Sequence, residues 1–309
     1  MDTGASLVNT LVNPLAGAST LAQPPRPASL LWRRVRALSQ HLLRRPGLLL
    51  SVAFVFLLFL TAVAPTWITD IDPLAASSRN AFQAPSAAHW FGTDENGRDV
   101  ASRLAHGVRP SLVLGFAATV VGLLGGIALG LLAGLGPRRV DSVVTRFIDV
   151  LMAFPEILLA LVVITLYGPS LVNGIIAIGI GGIPRYARLI RAQAKQVRHA
   201  DYVEAATTLG VAWPLVVLRH ILPNSIKPVI LLATIGIGHN IGIGATLSFL
   251  GFGLPPPTPE WGAMLSSGRD FLSTAWWLVI IPGTAVTLTV ITITVIGRNL
   301  MRYSEGKTT

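Results

Sequence analysis

An all-α integral membrane protein with six transmembrane helices is the fold class that the sequence predicts, and three observations carry it. Hydrophobic residues make up 52% of the chain and charged residues 12%, with a mean hydropathy of +0.63, so lipid is the main solvent. Neutral windows at 48–64, 110–137, 157–184, 228–259 and 271–297 are each long enough to cross about 30 Å of hydrocarbon. Lys and Arg are unevenly shared: nineteen lie before the first window, at 138–146, at 185–227 and after 297, against five (Arg79, Arg98, Arg103, Arg109 and Arg269) in the alternate segments. That asymmetry puts both termini in the cytoplasm. The net charge of +10 is thus a topology signal, and nucleic acid is not an expected partner.

The predicted spans run over 48–66, 110–135, 143–166, 170–190, 227–252 and 276–298, with Tyr167-Gly168-Pro169-Ser170 breaking the third window. Trp67, Tyr167, Trp276 and Trp277 fall at outer ends, where amphipathic rings favour the headgroup layer. Residues 1–29, rich in Ala, Ser, Thr and Pro, read as a disordered cytoplasmic lead, and 30–66 as a basic anchor with the first span. Ala62-Val63-Ala64 resembles a cleavage site, but some 45 preceding residues are too many for a signal peptide. An outer loop at 67–109, a core at 110–298 and a cytoplasmic tail at 299–309 follow. With no Cys, disulfides, thiolate metal sites and a Cys nucleophile are excluded.

Between the fourth and fifth spans, a loop at 199–223 is polar and helix-forming. Tyr202, Ala205, Ala206 and Leu209 recur at helical spacing, with Asp201 as N-cap and Glu204 closing a capping box. Gly210 allows a left-handed turn, Pro214 suits the start of a second helix carrying Trp213, Val216, Val217 and His220, and Pro223 ends it. Two short helices on a glycine elbow make a compact knob for a partner's groove. The other reading is an amphipathic helix lying on the membrane, which the stripe Arg185, Arg188, Arg191, Lys195 and Arg198 would suit.

Charges inside spans are costly and mark function or pairing. Arg146 and Asp149, three apart, are expected to pair. Glu156, after Pro155, has no basic residue at helical spacing, so it either faces a polar path or hydrogen-bonds a neighbouring helix. His239 and Asn240, in the glycine-rich run 235–244, either line the same path or belong to close helix packing. No metal site is expected, since His239 lacks a second ligand and His199 and His220 lie on the cytoplasmic side. No Ser-His-Asp set or metal cluster suggests catalysis, and no catalytic residue is assigned. Outside, seven acids (Asp70, Asp72, Asp94, Glu95, Asp99, Glu260 and Asp270) face outward, Asn96 is placed to cap a helix starting at Gly97, and Trp261 follows a stiff proline run.

The segment Asp201-Tyr-Val-Glu-Ala-Ala-Thr-Thr-Leu-Gly210, running on to Ile-Leu-Pro223, resembles the EAA coupling loop of ABC importer permeases. His89-Trp-Phe-Gly-Thr-Asp-Glu-Asn-Gly-Arg-Asp-Val-Ala-Ser-Arg103, Arg219-His-Ile-Leu-Pro-Asn224 and Leu247-Ser-Phe-Leu-Gly-Phe-Gly253 resemble the C-type subunit of the dipeptide/oligopeptide/nickel permease family. The tail differs, keeping only Gly297 and Leu300 of that family's usual ending. The resemblance implies a type I importer fold in a bacterial inner membrane. It implies a B-type permease sharing the path, two ATP-binding subunits holding ATP and Mg, and an extracytoplasmic solute-binding protein. ATPase coupling would fall to Asp201, Tyr202, Glu204, Ala205, Ala206, Leu209, Gly210, Trp213, His220 and Pro223, and docking of the binding protein to Asp94, Glu95, Arg98, Asp99, Glu260 and Trp261. The chain itself has no GxxxxGK[ST] phosphate loop. A secondary transporter, working without an ATPase, is the alternative, and in it the coupling segment would have no purpose.

Overall fold

The structure is a computed structural model that describes residues 45–304. The expected lead at 1–29, the basic stretch to residue 44 and the tail's end at 305–309 lie outside the described residues. The chain divides at Pro46, and the described helices lie, but for that first residue, in the unit Gly47–Thr309.

Apart from an isolated bridge between Thr93 and Asp99, the regular elements among the described residues are helical. Helix α1, Pro46–Val63, is apolar on all sides and leaves Leu50, Phe56, Phe59 and Val63 exposed, as a lipid-facing helix does. Helix α2, Val100–Leu135, starts ten residues earlier than expected because its first turns are polar yet buried under the outer loops: Val100, Ser102, Arg103 and Val108 are all covered. Asp99, not Asn96, is its N-cap, accepting from Ser102 N, while Gly97 sits in a left-handed turn before it.

The third expected span is two helices, α3 (Arg138–Met152) and α4 (Glu156–Tyr167), bent by 86°. Pro155 causes the break: it offers no N–H, and it pushes Phe154 away from helical geometry. Helix α5, Leu171–Arg198, is capped by Ser170 and runs beyond residue 190. Then come α6 (Asp201–Thr208), α7 (Trp213–Val216), a π turn at Val217–Ile221, and α8 (Leu222–Leu247) leading into a second π turn at Ser248–Phe252. Pro223 does not end the helix. Leu222 N–H reaches back five residues to Val217 O, and this wider turn lets the chain pass the proline. Helices α9 (Trp261–Gly268) and α10 (Trp277–Ser304) complete the chain.

Among the described residues, four helical stretches are long and apolar enough to cross a membrane: α1, α2, Trp213–Phe252 and α10. Counting the bent α3–α4 pair makes five. Helix α5 is long enough, but Arg185, Arg188, Arg191, Lys195 and Arg198 crowd its second half.

Helices α2 and α5 form the most extensive pair. Gly122, Gly126, Gly130 and Gly134 repeat every fourth residue along α2 and face α5. A Cβ at Gly130 would stand 2.6 Å from Ala187 O, so the two backbones touch where any side chain would separate them. At the outer end Leu58, Val100, Val108, Trp261, Trp277 and Leu278 tie α1, α2, α9 and α10 together.

Candidate functional site

The knob at 201–223 is built by local rules. Ala200, not Asp201, is the N-cap of α6; Asp201 and Glu204 instead occupy its first turn, where carboxylates favour the helix dipole without making the expected capping box. At the other end Val211 N–H bonds Ala206 O (3.1 Å) and Gly210 N–H bonds Thr207 O (3.0 Å), the paired bonds of a Schellman motif. Gly210 holds the left-handed φ of +77° that this motif needs. Val203, Ala206, Val216 and Ile221 are buried with Ala194 of α5 and root the knob in the bundle. The Arg198 guanidinium lies 5.4 Å from the Trp213 ring centre, and the Tyr202 and His220 rings are 6.4 Å apart.

The face expected from spacing is therefore divided. Ala206 turns inward, while Tyr202, Glu204, Ala205 and Leu209 face out, Leu209 being 83% exposed. Trp213, Leu215 and Leu218 extend the apolar surface. The cationic stripe on α5 is largely paired within the chain. Arg191 makes a bidentate contact with Asp141 (2.5 and 3.0 Å), Lys195 adds a third bond at 2.6 Å, and Arg188 bonds Asp149 at 2.8 Å. Asp149 thus pairs with Arg188 across to α5 rather than with Arg146 along its own helix, because the 86° bend lays α3 beside the charged half of α5.

A second group of polar residues lies where α4, α5 and α8 meet. Glu156 Oε2 meets His239 Nε2 at 2.9 Å, and Glu156 Oε1 lies 3.9 Å from Arg185 Nη2. The Arg185 guanidinium sits 5.5 Å over the Tyr186 ring. Asn240, one residue from His239 but on the buried side, donates to Thr119 Oγ1 of α2 at 2.9 Å. Glu156 and His239 are brought together; Asn240 belongs to a separate contact. Spacing along one helix could not reveal the roles of Arg185, Tyr186 and Thr119, since all three act across helices.

The residues expected to dock a binding protein are mostly internal. Asp94 is buried; its Oδ1 accepts from Asn96 N and Arg98 N (both 2.9 Å), and its Oδ2 takes Arg98 Nε at 2.7 Å, with Arg103 Nε at 3.5 Å. Asp99 caps α2 and binds His89 Nδ1 at 2.8 Å. Trp261 is buried and donates to Leu104 O. Glu260 caps α9 through Gly262 N and Ala263 N, and burial pushes its carboxyl above the ordinary carboxylate range against the pull of those bonds. Of the set, Glu95 and Arg98 alone are not fully buried, and they pair with each other at 3.2 Å.

Residues 126–309 match the family described as binding-protein-dependent transport system inner membrane component. The chain is 39% identical to a dipeptide transport system permease protein of Alkalihalophilus pseudofirmus, covering 89% of this chain and 90% of that one. It is 37% identical to a di/tripeptide transport system permease protein of Pseudomonas aeruginosa (97% and 98%), and 38% identical to a glutathione transport system permease protein of Pectobacterium atrosepticum (89% and 90%). Among solved structures, an inward-facing methionine ABC transporter matches in fold, with a TM-score of 0.54 at 18% identity over 65% of this chain and 95% of that one. With a helical bundle, several apolar spans and this likeness along nearly its whole length, the chain belongs to the binding-protein-dependent transport system inner membrane component family and is a multi-pass membrane permease subunit.

Proposed function

We propose that this permease imports short peptides, driven by separate ATPases that grip it through residues 201–223. The observation that carries the reading is the knob itself. Its roots (Val203, Ala206, Val216) are buried, its elbow is fixed by Gly210, and Tyr202, Leu209, Trp213 and Leu218 remain exposed although apolar. A rigid element with an uncovered apolar face has the form of a joint, passing a partner's rigid-body movement into the bundle. Two ATP-binding subunits would hold ATP and Mg, and a homologous B-type permease would complete the path.

In this reading six spans cross a bacterial inner membrane with both termini cytoplasmic: α1, α2, the α3–α4 pair, α5, Trp213–Phe252 and α10. The uneven sharing of Lys and Arg supports that orientation. Glu156 and His239 would face the path, with Asn240 fixing α8 behind them. Their side chains are 23% and 41% exposed, and an ionised group at mid-membrane facing lipid costs about 2.5 to 3.5 kcal/mol, so a watery path suits them better. The binding protein would dock on the rim at Trp90, Glu95 and Arg98, over a surface shaped from beneath by Asp94, Asp99, Glu260 and Trp261. The relatives named for dipeptides, di/tripeptides and glutathione share a short amide-linked cargo, which supports the same class here.

The test uses the complete transporter in liposomes with its binding protein. Dipeptide uptake should require ATP, and Gly210→Pro, which cannot adopt the left-handed turn, should abolish uptake while ATP hydrolysis continues. Normal uptake by that variant would defeat the joint.

A further inference from the structure

The junction of α4, α5 and α8 holds a loose ion pair whose two facing atoms make no hydrogen bond. Glu156 Oε1 and Arg185 Nη2 are buried, 3.9 Å apart, too far for a hydrogen bond, and neither has a hydrogen-bond partner among the described residues. One is an acceptor on an acid, the other a donor on a fixed cation. The second carboxyl oxygen holds His239, the most open member of the group. Gly181 makes room for Glu156: a Cβ there would stand 2.8 Å from Glu156 Cγ. Tyr186 braces the Arg185 guanidinium from below.

Resting on the peptide reading above, we propose that Glu156 receives the free α-ammonium of a peptide and Arg185 the carbonyl oxygen of the same residue, with His239 giving way as cargo enters. By covalent geometry an α-amine nitrogen and its own carbonyl oxygen lie about 3 Å apart, so one aminoacyl end offers a donor and an acceptor at the scale of the gap. An ammonium with three donors suits a carboxylate oxygen that lacks one, and the carbonyl lone pairs suit the unused guanidinium N–H. A peptide's carboxyl end would instead meet Glu156 as a like charge. Every unblocked peptide carries this end, so the site reads backbone and ignores side chains. A cargo lacking the amine leaves Glu156 Oε1 with only the loose Arg185 contact, forgoing one charge-assisted hydrogen bond, and that difference supplies the selectivity.

The test compares trialanine with its desamino analogue propionyl-Ala-Ala in the reconstituted transporter, each at a concentration saturating the binding protein, with uptake expressed per ATP hydrolysed. Wild type should carry trialanine about tenfold better or more, the scale of one charge-assisted hydrogen bond. Glu156→Gln should bring the ratio near one. Arg185→Gln should slow both probes alike, since both keep the carbonyl. Glu156→Asp, which retains the acid, should retain most of the preference, and it decides the matter if the Gln variant does not assemble. An unchanged ratio in Glu156→Gln, or a ratio lost in Glu156→Asp, overturns the proposal. A wild-type complex that hydrolyses ATP and carries neither probe overturns the peptide reading itself.

Discussion

In the outer loop, Asp94 gathers two backbone N–H groups and the Arg98 guanidinium, with Arg103 close by, while Asp99 caps α2 and holds His89. In the knob, Asp201, Glu204 and Ala205 face outward, and Leu209 has almost no cover. Both regions are dense in motif residues, yet the first uses its polar groups to hold its own chain and the second leaves its surface unpartnered. A motif whose hydrogen bonds close on themselves positions a surface; one whose faces stay open is the surface. Mutations should therefore separate into losses of stability outside and losses of coupling at the knob.

The largest expected effect is Asp94→Ala. It removes the buried acceptor of two backbone N–H groups and of the Arg98 Nε, and leaves the buried Arg103 without its nearest carboxylate; breaking such a network costs about 3 to 5 kcal/mol, read as a lower midpoint in thermal unfolding of the purified complex. Next is Gly130→Val, which drives a side chain into Ala187 O at the α2–α5 contact and should destabilise by about 1 to 3 kcal/mol in the same assay. Leu209→Ser should shift stability by less than about 0.5 kcal/mol because the residue is exposed, yet lower peptide uptake per ATP hydrolysed. If it unfolds the protein as Asp94→Ala does, the contrast fails. The smallest effect concerns Glu260. Its carboxyl is raised by burial, so the fold holds the proton more tightly than the unfolded chain. That contribution is complete below the ordinary carboxylate value and is lost as pH rises through the raised one. Glu260→Gln, which keeps an acceptor for the cap, should flatten this part of the stability profile.

Much of the bundle was legible because spans depend on composition, which is local. The Gly210 elbow was legible for the same reason: a helix followed by glycine ends in one way. What escaped depends on contacts between distant segments. Pro155 was visible, but the 86° bend that follows lays Asp149 beside Arg188, and nothing along one helix reports that. Glu156 has no basic neighbour at helical spacing, yet meets His239 and Arg185 across three helices. The ladder Gly122, Gly126, Gly130, Gly134 is a signal that the sequence does carry, at a strict four-residue repeat, and it marks the α2–α5 contact. Asp99 rather than Asn96 caps α2 because the left-handed turn at Gly97 delays the helix by three residues.

The native chain has no Cys, so a single introduced thiol gives an unambiguous cross-link. Leu209→Cys, in membranes where peptide uptake is running, should capture an ATP-binding subunit with a short bifunctional reagent, whereas the buried Ala206→Cys should not. Failure of Leu209→Cys to capture any ATPase under active transport would contradict the knob as the joint.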